Sequence, residues 1–80
     1  MTAGGLLDVR TREMIAIGAS VGGNCQPCLR YHFAEALKAG CTQEEIAEAI
    51  KLSKMVKERP INDIYRLADE LLRREGKDAV

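Results

Sequence analysis

Four breakers of regular structure, Gly22-Gly23, Gly40, Pro60 and Gly76, cut this chain into short stretches. None of those stretches alternates apolar and polar residues with the period of a strand, and apolar residues recur at helical intervals instead. Val9, Met14, Ile17 and Val21 predict a first helix from about Asp8 to Val21, with Asp8 as its N-cap. Gly22-Gly23 is expected to close it, because glycine adopts the left-handed conformation. Asn24 reads as the N-cap of a second helix, and Pro27 is tolerated in a first turn, where its missing N–H had no partner. That helix is expected to reach about Ala39 and stop at Gly40. Thr42-Gln43-Glu44-Glu45 is a capping box that opens a third helix, with Ile46, Ala49, Ile50 and Val56 on one side and Pro60 as the expected break. Ile61, Ile64, Tyr65, Ala68, Leu71 and Leu72 form the stripe of a fourth helix ending at Gly76. Only Met1 to Leu6 and Gly76 to Val80 read as loose ends. The expected class is all-α, a small helical bundle in a single domain over residues 1–80.

Composition narrows the function. A chain of 80 residues buries a modest fraction of its surface, so staples, a metal or partner subunits are expected to support it. Twelve basic and twelve acidic residues cancel, which leaves no footprint for nucleic acid or an anionic membrane. No apolar run is long enough to span a bilayer. Met1-Thr2-Ala3-Gly4-Gly5 lacks the pattern of a secretory leader, so the expected location is cytoplasmic. In that compartment a Cys-x-x-Cys pair is catalytic or metal-binding more often than a permanent staple. Three cysteines, an odd count, also argue against a fully paired disulfide framework.

The chemistry gathers in Cys25-Gln26-Pro27-Cys28, followed by His32. On the second helix these three residues are i, i+3 and i+7 and share one face. A thiol in the first turn of a helix meets free N–H groups and the positive end of the dipole, which favour its thiolate. His32 lies roughly 10 Å beyond Cys25, and Glu13 roughly 12 Å before Val21. In an antiparallel pair of the first two helices, Glu13 and His32 are therefore level, and a path Glu13, His32, Cys28, Cys25 can pass protons. Ile17 and Ser20 share the face of Glu13. A zinc site is the competing reading, with Cys25, Cys28, His32 and Cys41 as candidate ligands. Against it, Cys41 lies roughly 20 Å along the axis from Cys28 if the helix is continuous. Cys41 otherwise reads as a bystander, Tyr31 and Tyr65 as packing or subunit contacts, and Lys51, Lys54 and Lys57 as a solvated face. A thioredoxin fold is excluded because Cys25 follows a helix and glycines where that fold needs a strand.

Arg12-Glu13, Cys25-x-x-Cys28-x-x-x-His32, Ala36-Leu37-x-Ala39-Gly40 and Thr42-x-x-Glu45-Ile46 together resemble the core motif of the carboxymuconolactone decarboxylase superfamily. Within it the chain is similar to the AhpD-like alkylhydroperoxidase branch, and the likeness covers about residues 10–50. The resemblance implies an all-helical fold assembled as trimers or hexamers, with a thiol-dependent hydroperoxide or disulfide reductase site. It places the relay glutamate on Glu13, the redox cysteines on Cys25 and Cys28, and the motif histidine on His32. It further implies that Cys28 attacks the peroxide and Cys25 resolves it, with no bound metal or cofactor and an external dithiol as reductant. The sequence departs from the fuller enzymes at Pro27, where they carry a second histidine, and it is about half their length. The first departure bears on peroxidase strength; the second points to a single-motif form that must oligomerise. A small oligomeric metal-binding or redox-sensing module is the alternative.

Overall fold

The backbone is described for residues 5–79 and the side chains for residues 5–75 in a computed structural model of the chain. Met1 to Gly4 and Val80, part of the expected loose ends, lie outside the described residues. Helix α1 spans Val9–Gly22, α2 spans Gln26–Lys38 and α3 spans Gln43–Ala79. The described residues contain no strand, so the chain is all-α.

Each helix start has a local cause. Asp8 Oδ1 accepts from the Thr11 N–H at 2.8 Å, which satisfies a donor that the first turn leaves free. At α3 the capping box closes both ways. The Glu45 N–H donates to Thr42 Oγ1 at 3.0 Å, and the Thr42 N–H donates to Glu45 Oε1 at 2.8 Å. Arg10 reaches the same carboxylate oxygen from α1 at 2.6 Å. The Thr42 amide first, and then Arg10, hold the Glu45 carboxyl below its ordinary value. Between α2 and α3 the chain turns at Gly40, whose φ of 97° lies where a side chain is strained.

Three expectations are corrected. The left-handed residue after α1 is Asn24, with φ 58°, whereas Gly23 has φ −93°. Asparagine is among the few non-glycine residues that occupy this region readily. Asn24 is accordingly not the N-cap of α2; Cys25 is. Third, Pro60 does not end α3, which is one helix of 37 residues from Gln43 to Ala79 and passes through Gly76 as well. The missing proline N–H costs one rung, while the Arg59–Asp63 ion pair at 3.2 Å, one turn apart, bridges it. Arg66 adds a second pair to the same carboxylate at 3.0 Å.

The core is correspondingly small. Ile17, Ala36, Cys41 and Ile46 are buried, with Met14, Leu29, Phe33, Ala49 and Ile50 packed against them. Gly18 lets α3 come close to α1, since a Cβ there would meet Ser53 Oγ at 3.1 Å. Val56, expected inside, is 76% exposed. Every residue from Glu58 to Glu75 is exposed, so the stripe expected to complete a four-helix bundle projects from the head instead. The molecule measures 63 × 24 × 21 Å.

Candidate active site

The turn between α1 and α2 positions the thiols. The Cys25 N–H donates to the Ser20 carbonyl at 3.0 Å, and Ser20, itself buried, bonds the Ala16 carbonyl through Oγ at 2.7 Å. Cys25 is the N-cap of α2, and its Sγ accepts from the Cys28 N–H at 3.2 Å. Cys25 and Cys28 are joined by a disulfide, with their Cα atoms 5.2 Å apart. Cys28 is exposed and Cys25 half-buried. A hollow of about 220 Å³ opens beside Cys25, lined also by Ser20, Val21, Asn24, Gln26 and Leu29.

Glu13 and His32, 19 residues apart, meet between α1 and α2. His32 Nδ1 and Glu13 Oε1 are 2.7 Å apart, with side chains 29% and 18% exposed. Beside an ionised carboxylate Nδ1 carries a proton, which leaves Nε2 as the acceptor when the imidazole is neutral. The Tyr31 ring meets the imidazole edge-on, with centroids 5.0 Å apart. His32 lies one turn after Cys28 on α2, so the two share a helix face.

Cys41 stands apart from this group. Its thiol is in the core, 5% exposed, with Sγ 3.8 Å from the Arg10 carbonyl. Among the described residues no group of three or more His, Cys, Asp or Glu side chains is arranged to hold a metal ion.

Lys57 was expected on a solvated face, and the structure corrects that reading. Its ammonium donates to the Val21 carbonyl at 2.6 Å and also bonds Asn24 Oδ1. A cation at the carboxyl end of α1 adds a second donor to a carbonyl that already accepts the Asn24 N–H at 3.3 Å, and it faces the negative end of the dipole. It also ties the residue before Cys25 to α3. The contact with Asn24 spans 33 residues, and no local pattern announces it.

Residues 1–58 match the model of the carboxymuconolactone decarboxylase family. The chain belongs to that family, whose members include decarboxylases and alkylhydroperoxidases. An uncharacterized protein from Cupriavidus necator is 31% identical over 52 residues, which cover 65% of this chain and 46% of that protein. Uncharacterized protein 4 in the cox locus of Paracoccus denitrificans is 40% identical over 48 residues, covering 60% of this chain and 43% of its own. The chain thus spans less than half the length of either relative. No solved structure matches it. Among the described residues no helix is long and apolar enough to cross a membrane.

Proposed function

We propose that the chain is a thiol-dependent hydroperoxide or disulfide reductase of the alkylhydroperoxidase type. The observation that carries this reading is the 2.7 Å Glu13–His32 contact, one helical turn from a Cys25–Cys28 pair at the start of α2. In the proposed cycle the reduced Cys28 thiolate attacks the outer oxygen of a hydroperoxide. The O–O bond breaks, Cys28 becomes a sulfenic acid, and the departing alkoxide takes a proton from the His32 imidazolium and leaves as alcohol. The Cys25 thiol then gives its proton to the imidazole, and its sulfur displaces hydroxide from Cys28 to form the disulfide. Hydroxide and that proton leave as water. An external dithiol returns two electrons and two protons and becomes a disulfide itself. Glu13 holds the imidazole in orientation and stabilises its charged form.

Exposure favours Cys28 as the attacking sulfur, since a solute reaches it directly, and half-burial suits Cys25 as resolver. The antiparallel pairing of α1 and α2 belongs to this reading, as does assembly into a trimer or hexamer in the cytoplasm. Peroxide consumption by the purified protein, assayed with several dithiol donors, tests the proposal. Turnover that is lost in Cys28→Ser and in Cys25→Ser is expected. Absence of turnover with peroxide and with disulfide substrates alike would refute it.

A further inference from the structure

Two apolar surfaces that no described residue covers match in length and charge, and we infer that they dock on each other between two copies. The first is a groove along the crease of α1 and α3. It consists of hollows of about 400 Å³ and 430 Å³ that share Gly18, Leu52 and Ser53. Gly18, Ala49 and Ser53 contribute only small side chains or none, so a guest helix can come close. Ile15, Leu52 and Val56 line it or border it, 56%, 54% and 76% exposed. The second surface is the ridge Ile61, Ile64, Ala68, Leu71 and Leu72 on the projecting half of α3, where every side chain is exposed.

An amphipathic helix laid in an apolar groove is a recurring mode of recognition. Along α3 the groove runs from Glu45 to Lys57, about 18 Å at 1.5 Å per residue, and Ile61 to Leu72 gives about 16 Å. The ridge does not meet the groove of its own chain, because α3 continues as one helix through Pro60 and carries it away from the head. A second copy brings one within reach. Charge sets the direction. Arg73 and Arg74 follow the ridge, and Glu48 stands at the far end of the groove from Lys57. The guest therefore runs with its arginines toward Glu48 and opposite to the host α3. Each copy offers both a ridge and a groove, so one docking generates its symmetric partner, an isologous two-fold exchange. This goes further than the assembly proposed above, because a two-fold contact belongs to a hexamer and not to a trimer, and oligomers built on other faces would leave the groove open.

Photocrosslinking locates the contact. The full chain with Leu71 replaced by benzoylphenylalanine is mixed in equal parts with its nitrogen-15 form, irradiated, and its joined peptides are read by mass spectrometry. Crosslinks of mixed isotope from residue 71 to peptides around Ile15–Gly22 or Ala49–Val56 are expected. Crosslinks from ridge to ridge, crosslinks within one chain, or none would each overturn the inference. Light scattering on the same sample separates the two readings. An oligomer whose crosslinks avoid the groove keeps the assembly and ends the docking, and a monomer ends both. Ala68→Glu alters a residue exposed in the single chain, so the core is left intact. It is expected to weaken self-association at least about tenfold, and unchanged association would refute the docking.

Discussion

Replacing Glu13 by Gln keeps the shape of the side chain and removes its charge. The carboxylate meets His32 Nδ1 at 2.7 Å, with both side chains mostly buried. A hydrogen bond to a charged group contributes about 1.5–3 kcal/mol net, against about 0.5–1.5 kcal/mol for a neutral one. The imidazolium thus loses about 1–1.5 kcal/mol of stabilisation, which is about tenfold in rate at about 1.4 kcal/mol per decade. His32→Gln removes the acid–base group itself, so its loss is expected to be larger, toward about 10²-fold. The assay is stopped-flow oxidation of the reduced Cys25–Cys28 pair by peroxide near pH 7. The deficit is expected to shrink as pH approaches the ordinary thiol value of about 8.5, where thiolate forms without help. The double variant should be little slower than His32→Gln, because residues on one proton path do not add. Helical circular dichroism should match the parent, since neither change opens a core cavity. Parental rates in both single variants at neutral pH would remove Glu13 and His32 from the chemistry.

On mild oxidation of the reduced chain, peptide mapping is expected to show the loss of two protons confined to Cys25–Cys28. Cys41, buried in the core, should be alkylated only after unfolding, and a main product containing Cys41 would contradict this. Thr42→Ala removes a capping oxygen and is expected to cost about 1 kcal/mol, seen as a melting temperature lower by roughly 4–8 °C. The folded Glu45 carboxyl is held below its ordinary value. Its contribution is therefore complete above about pH 4.3 and is lost as pH falls through the folded value. The gap in melting temperature between the parent and Glu45→Gln should accordingly close in acid. Lys57→Met removes both bonds at the end of α1 and is expected to lower the melting temperature by several degrees, with no change if the ammonium is merely solvated.

The starts of α1 and α3 were legible because their causes are local: an aspartate or a threonine three residues before the N–H it accepts from. The end of α2 at Gly40 was legible for the same reason. Counting the helical rise back across the turn places Glu13 level with His32 and points to a proton path through them, and the family resemblance names the same two residues. Pro60 misled because its local cost is real, yet α3 carries through it; the Arg59–Asp63 pair across it is exposed and contributes only about 0.2–0.5 kcal/mol. The stripe from Ile61 to Leu72 is periodic and reads as core, but periodicity does not say which surface a helix meets. Asn24 and Lys57 were invisible for a different reason. The left-handed turn before Cys25 is held by a side chain from another helix, and a one-dimensional pattern carries no trace of it.

The sulfur of Cys25 has two occupations at once, since the atom that bonds Cys28 Sγ also accepts the Cys28 N–H. A disulfide sulfur is a poor acceptor and a thiolate a good one, so whenever the reduced pair carries its charge on Cys25 the first turn of α2 is capped more strongly than in the disulfide. By linkage, a change that strengthens this cap more in the reduced chain than in the oxidised one draws electrons toward the pair. A substitution in the first turn of α2 that never touches sulfur would still register on a voltmeter.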